Sequence, residues 1–205
     1  ARKAATTMKK VISAILCIVL LGATLCSCSK TSSDLTEDNI KKTTETAFAA
    51  LVDFDTDKLE KFVDSSTLNV IMNYAKSHSQ FSDLGKAIFE NLTYEIKSID
   101  VDAKTVTVSV KNKDLYEPAA SFTKELLGTY STMRLLGNLS NNSWLDTNLK
   151  TLTDKISAAG MQSDEQTITL SVSQGDGCLV LGFDEDAENA VSGGALKAIK
   201  EIIAK

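Results

Sequence analysis

The chain contains a single histidine, His78, and this limits the metal and nucleophile chemistry that it can support. A zinc site with two histidine ligands needs a second imidazole, and a Ser-His-Asp triad would depend on this one ring. His78 lies in the polar stretch SHSQ, which has no apolar periodicity. We therefore predict a surface histidine in a loop, without a metal-binding or catalytic role.

Two acidic runs, DFDTD at 53–57 and DEDAE at 184–188, offer the carboxylates that calcium prefers. A calcium loop of the EF-hand type also requires a central glycine and a final glutamate at fixed spacing, and neither run has them. Acidic side chains are favourable in the first turn of a helix, where the helix dipole attracts them. We interpret both runs as helix starts and solvated charge, and we expect no bound metal or cofactor.

The clearest chemical signal is a pair of cysteines, Cys26 and Cys28, that closes an apolar stretch. A basic MKK precedes this stretch and small residues follow it, which is the layout of a secretory signal. The letters LCSC at 25–28 resemble the lipobox of bacterial lipoproteins, in which Leu stands three residues before the modified Cys and a small residue directly before it. Cys28 fits both positions, whereas Cys26 would follow the bulky Leu25.

This resemblance implies that residues 1–27 are removed and that the Cys28 thiol carries a diacylglyceryl group. Two acyl chains anchor a protein stably, where one is marginal. The domain would then be tethered through Cys28 to the outer face of the cytoplasmic membrane, at a Gram-positive cell surface. Two alternatives stay open: a plain signal peptide, and a retained span, because the 18 residues 11–28 reach the short limit for crossing a bilayer.

Charge and cysteine content limit the partners of the remaining chain. Without the four basic residues of 1–27, 18 basic residues face 27 acidic ones, so residues 28–205 carry a net charge of −9. Phosphate binding needs clustered Lys or Arg, so we expect no nucleic-acid partner. Only Cys178 would remain as a free thiol, which excludes an internal disulfide framework and predicts a small buried side chain in GCLVLGF.

The elements that would position any site follow from hydrophobic periodicity. A polar tether at 28–35 precedes one domain, 36–205, which opens with short helices. Alternating apolar residues then predict two hairpins, over 92–110 and 168–183, with a bulge near Lys97. A helical insertion at about 115–159 separates them, and a final helix covers about 195–203. We therefore predict an α+β fold with a curved antiparallel sheet of about four strands, packed by the N-terminal helices.

The insertion shows two apolar series at helical spacing. Trp144 begins its second helix, and we expect a core position for it rather than an exposed contact. The first series predicts one continuous helical face from about Pro118, and the second a buried seam that ends at Gly160; their members are Phe122, Leu126, Tyr130, Met133 and Leu136, then Leu145, Leu149, Leu152, Ile156 and Ala159.

The segments AFAALVDFDTDKLEKFVD, YEIKSIDVDAKTVTVSVKNKDL and TITLSVSQGDGCLVLGF resemble the helix pair and the two hairpins of cystatin-like domains of the nuclear-transport-factor-like superfamily. Many lipoproteins of Gram-positive bacteria look similar, and the resemblance covers about residues 40–183. It implies helices in the concave side of a curved sheet. Enzymes of this superfamily place an acid or histidine with a tyrosine inside an apolar cone. Tyr94 could line such a cone, but no acidic residue falls at an inward strand position.

We therefore expect a binding or interaction module that is not an enzyme. Its partner would be a small apolar molecule in the cone, or another envelope protein held against the insertion. An enzyme that uses the cone is an alternative, and it requires an apolar pocket with a buried ionisable group. A structural envelope component is another, and it requires a filled cone with an exposed apolar patch.

Overall fold

The computed structural model describes residues 33–203, which contain nine helices and a five-stranded sheet. The α+β class is confirmed. The helices are α1 (Glu37–Asp53), α2 (Thr56–Phe62), α3 (Ser66–Ala75), α4 (Ser79–Phe89), α5 (Tyr116–Thr129), α6 (Thr132–Asn138), α7 (Asn142–Ala158), α8 (Glu185–Val191) and α9 (Ala195–Ile203). The strands are β1 (Val63–Asp64), β2 (Thr93–Asp100), β3 (Thr105–Lys111), β4 (Gln166–Gln174) and β5 (Leu179–Gly182).

The sheet has the strand order β1-β5-β4-β3-β2 and is mixed and open. Both predicted hairpins form, and β3 pairs with β4 in antiparallel fashion to join them. The register of β2 shifts between Ile96 and Ser98, which confirms the predicted bulge. The expectation of about four antiparallel strands is wrong in one respect, because β1 adds a fifth strand parallel to β5. Strand β1 has only two residues, so the sequence shows no periodicity that would predict it.

The two faces of the sheet differ sharply in chemistry. One face carries buried apolar side chains that pack against the helices, and it includes Val106, Val108, Val110, Ile168, Leu170, Val172, Leu179 and Leu181. Since successive side chains of a strand point to opposite faces, the other face carries the alternate residues, which on β3 and β4 are all serine or threonine except Lys111. Among the described residues, the core therefore lies on one side of the sheet.

Helix α1 lies across the apolar face. Thr36 caps its first turn by accepting from the backbone N of Asn39 at 3.3 Å. The helix ends at Phe54, which adopts a left-handed conformation with φ of 50°. The ring of Phe54 lies over Gly85 in α4 and stacks on Phe89 at 6.2 Å between centroids, so α4 has no room for a larger residue at position 85.

The helical insertion between the hairpins is confirmed and consists of α5, α6 and α7. Its two ends meet where β3 ends, since Asp114 donates its backbone N–H to Gly160 at 2.8 Å. The Lys113 ammonium also donates to the Ser157 carbonyl at 2.9 Å. The predicted seam is buried at four of its five positions, and α7 packs on α4. The four are Leu145, Leu149, Leu152 and Ile156, whereas Ala159 follows the end of the helix and is half-buried.

The first apolar series of the insertion does not form one helix, which corrects the prediction. Helix α5 starts at Tyr116 and ends at Thr129, and Tyr130 has an extended backbone. Gly128 and Thr129 are poor helix formers, so the helix has little local support at this point. A separate short helix, α6, carries Met133 and Leu136 away from the core.

Candidate functional site

The predicted lipidation residue, Cys28, lies outside the described residues, as do the predicted signal segment and most of the predicted tether. Ser33 is the first described residue, and its carbonyl accepts from Nε2 of Gln174 at 2.7 Å. Between residues 33 and 203, no helix is both long enough and apolar enough to cross a bilayer.

His78 does not lie free in a loop, because it immediately precedes α4 and connects α4 to α7. Its Nδ1 lies 2.8 Å from Oδ1 of Asn142, and its ring approaches Phe81 with centroids 6.4 Å apart. Gln80 in turn donates to Asp146. The side chain is half-buried, so the prediction of a surface histidine holds only in part. These contacts give His78 a structural role between two helices.

The first acidic run behaves as predicted. Asp55 caps α2 by accepting from the backbone N of Lys58 at 3.2 Å, and its other carboxylate oxygen lies 2.7 Å from the Lys58 ammonium. The hydrogen bond to the Lys58 side chain holds the pKa of Asp55 below its usual value. Asp184 caps α8 in the same way, accepting from Ala187 at 2.8 Å.

Glu188 corrects the interpretation of the second run as solvated charge. Its side chain is only 3% exposed. One carboxylate oxygen accepts from the Ser65 hydroxyl at 2.5 Å and from the backbone N of Thr67 at 3.1 Å, and the other accepts from the Thr67 hydroxyl at 2.7 Å. Glu188 thus binds the N-terminus of α3, where the helix dipole favours negative charge. Among the described residues, no group of three potential metal ligands forms a site.

The space between α1 and the sheet is filled by aromatic side chains. Phe48 stacks on Tyr94 with centroids 4.5 Å apart and also contacts Phe183 at 6.1 Å. Burial and, secondarily, the charge of Glu45 raise the pKa of Tyr94. Tyr94 is therefore part of the packing against α1. Cys178 is a buried free thiol, as predicted, with Sγ 3.7 Å from the Lys61 carbonyl.

A surface groove of about 490 Å³ lies at the β1 edge of the sheet. We call it the edge groove. Helices α2 and α3 form one wall, and β1, β4 and β5 form the other; the lining residues are Glu60, Lys61, Val63, Asp64, Asn69, Met72, Asn73, Lys76, Ser173 and Val180. Lys76 pairs with Glu60 at 2.9 Å. The groove is thus a mainly polar cleft that is open to solvent.

The second surface feature is the insertion tip, residues 130–141. Met133 and Leu136 lie one helical turn apart on α6 and are 81% and 59% exposed. Tyr130 meets Trp144 edge to face with centroids 5.9 Å apart. Trp144 is half-buried against the core, and its Nε1 is buried without a hydrogen-bond partner among the described residues. The expected core position of Trp144 is therefore reached only in part, and the tip presents an apolar surface to solvent.

The insertion tip also differs from the rest of the chain in charge. Residues 126–145 contain no acidic side chain and one basic one, Arg134, within an otherwise acidic domain. The apolar spacing predicts Met133 and Leu136 on one helical face with Phe122 and Leu126, and it does not predict this exposed surface. The signal that was present is the weak helical stretch GTYS at 128–131, which separates them from α5.

Comparison with known proteins gives no match: the chain matches no protein-family profile, no curated protein and no solved structure. The resemblance to cystatin-like lipoproteins therefore stays a prediction.

Proposed function

We propose that this chain is a lipid-anchored extracytoplasmic module that binds another envelope protein through the insertion tip. In this proposal Cys28 carries the lipid, and the domain acts by binding, without catalysis. The observation that carries the proposal is the exposure of Met133 and Leu136, at 81% and 59%, on a helix of their own. Burying such a side chain contributes about 1.5–3 kcal/mol, so a protein that covers both would gain substantial binding energy.

The packed interior supports a protein partner over a small apolar ligand inside the sheet. Such a ligand would occupy the space that Phe48, Tyr94 and Phe183 fill. It would have to displace aromatic side chains that already pack closely, at a cost comparable with core disruption. An enzyme that uses the same space would meet the same obstacle. A surface contact through the insertion requires no such rearrangement.

The position of the insertion also supports a role in reaching a partner. Strand β4 runs from Gln166, which pairs with Val110 close to the base of the insertion, to Gln174, which contacts Ser33. The start of the described chain and the base of the insertion therefore lie at opposite ends of the sheet. With an anchor at Cys28, five residues before Ser33, the insertion would leave the sheet at the end away from the tether.

The anchor is tested by fractionation of cells that express the full chain. Cys28→Ser should move the protein from the membrane to the released fraction, because the acylated thiol is lost. Cys26→Ser is the matched control and should stay in the membrane fraction. A Cys28→Ser protein that stays in the membrane would overturn the lipoprotein assignment in favour of a retained span.

The contact is tested by the size of the complex after mild solubilisation. The parent protein should migrate above its own mass, and Met133→Ser/Leu136→Ser should migrate as the free chain. Lys150→Ser, at an exposed position on α7, is the control and should leave the complex intact. An unchanged complex in the double variant would contradict the proposal.

A further inference from the structure

A second surface, separate from the insertion tip, has the chemistry of a ligand site. On the sheet face opposite the apolar core, the outward positions of β4 all carry hydroxyl side chains, and those of β3 do so except at Lys111. We call the accessible ones the hydroxyl face, which comprises Thr105, Thr107, Thr167, Thr169, Ser171 and Ser173. Thr105 lies opposite Ser171, and Thr107 lies opposite Thr169 with their hydroxyl oxygens 3.4 Å apart. Two outward residues of β3 do not belong to this face. Ser109 is buried and donates to Glu165 at 2.6 Å, and the Lys111 ammonium donates to the Ser163 carbonyl at 3.0 Å.

The hydroxyl face is continuous with the edge groove. Ser173 belongs to both, and Val180 of β5, which pairs with Ser173 of β4, also lines the groove. From Ser173 back to Thr169 the strand extends about 14 Å at ~3.4 Å per residue. An extended ligand seated in the groove could therefore follow β4 without leaving a polar surface.

The charges and hydrogen-bonding groups of the edge groove indicate which class of ligand it would bind. The groove contains two acidic side chains, Glu60 and Asp64, and two lysines, Lys61 and Lys76, so its formal charges cancel. An ionic ligand gains no net attraction from such a set. Amides and hydroxyls both donate and accept, and both Asn69 and Asn73 face the groove.

Three apolar side chains also restrict the ligand. Val63, Met72 and Val180 are among the lining residues, although Val63 and Met72 are each only 3% exposed. A sugar ring has hydroxyls at its edge and C–H groups on its faces, so it matches a polar lining with a smaller apolar part. The groove volume of about 490 Å³ lies within the range of about 300–1,000 Å³ that is usual for small-molecule sites.

We propose that the edge groove and the hydroxyl face together form a binding track for a neutral oligosaccharide chain. The end of the chain occupies the groove between α3 and β5, where Asn69 and Asn73 bind its hydroxyls. The following sugar units lie along β4, in contact with Thr169 and Ser171. This proposal rests on the described residues alone and does not depend on the anchor or on the insertion tip.

The test measures binding of defined neutral oligosaccharides to the full chain in a sugar-free zwitterionic detergent. The probes are the disaccharide and hexasaccharide forms of cello-, chito-, xylo- and malto-oligosaccharides, studied by calorimetry and by hydrogen exchange. At least one hexasaccharide should bind about tenfold more tightly than its disaccharide, because it adds contacts on the hydroxyl face. It should also protect the backbone over residues 69–76 and 169–180.

Two variants separate the groove from the face. Asn69→Ala/Asn73→Ala should abolish binding of both lengths; alanine favours the helix, so α3 is retained. Thr107→Val/Thr169→Val replaces both hydroxyls with groups of the same shape, and it should weaken the hexasaccharide about three- to tenfold without affecting the disaccharide. Asn148→Ala, on α7, is the matched control and should bind as the parent does.

Three results would overturn the proposal. One is no protection and no heat of binding with any of the eight probes. The second is protection confined to another part of the sheet. The third is protection of the groove by a neutral Gly-Ser-Asn peptide and by none of the sugars, which would assign the groove to a polypeptide.

Discussion

Helices α6 and α7 belong to the same insertion, and both carry large apolar side chains. The seam residues on α7 are buried, whereas Met133 and Leu136 of α6 are exposed. On α7, Leu145 is 0% exposed and packs with the seam against α4. On α6, Met133 is 81% exposed. The difference shows that burial here follows from the presence of a packing partner within the chain, and not from composition. The energetics of the fold should therefore depend on α7, and binding on α6.

The largest expected effect is the loss of packing in α7. Leu145→Ala should lower the free energy of unfolding by about 3 kcal/mol, because it removes buried methyl groups and leaves a cavity. Met133→Ser and Leu136→Ser should each change it by less than about 0.5 kcal/mol, because these side chains already contact water. Urea denaturation of the three variants measures both values. Equal losses in α6 and α7 would break the comparison.

Two acidic residues of α8 allow the same comparison between a buried and an exposed position. Glu188→Gln should destabilise the fold by about 1–3 kcal/mol, since an amide cannot accept from every donor that now faces the carboxylate. Asp186→Asn, two residues earlier in α8 and exposed, should cost less than about 0.5 kcal/mol. Thermal unfolding at neutral pH compares them. Glu188→Gln as stable as Asp186→Asn would show that the contacts to Ser65 and Thr67 contribute little.

Two helical glycines extend the comparison to the backbone. At Gly85 an added Cβ would overlap the Phe54 ring, so Gly85→Ala should destabilise the protein by about 1–3 kcal/mol. At Gly137 in α6 an added Cβ meets no atom within 4 Å. Gly137→Ala should therefore stabilise it by about 0.5–1 kcal/mol, because alanine is the better helix former. Opposite shifts in the unfolding midpoint are the expected result, and a loss at both sites would mean that α6 is packed.

The smallest expected effect is a pH dependence at the core aromatic stack. Burial raises the pKa of Tyr94, so this side chain ionises in the unfolded chain first, near pH 10. Its contribution to stability is complete below that pH and is lost as the pH rises through the folded-state pKa. Tyr94→Phe should therefore lose less stability than the parent between pH 9 and 11. Parallel profiles of stability against pH would contradict the burial of the hydroxyl.

Much of the fold could be predicted from the sequence because its signals are local. Val106, Val108 and Val110 alternate with hydroxyl residues, and the α7 seam repeats at helical spacing, so each element shows its buried face without reference to its partner. The burial of Glu188 has no such local signal, because its hydrogen-bond donors Ser65 and Thr67 are more than 120 residues away in the chain. The exposure of Met133 was missed because apolar spacing predicts a face but not what covers it.

The most direct test of the proposed function is photo-crosslinking in living cells, with the reactive residue at position 133 of the full chain. A contact through the insertion tip predicts an adduct heavier than the 22.1 kDa chain from position 133 and none from the exposed control position 150. The mass of the adduct also distinguishes a second copy of this chain from a different envelope protein. No adduct from position 133, or equal adducts from both positions, would contradict the account.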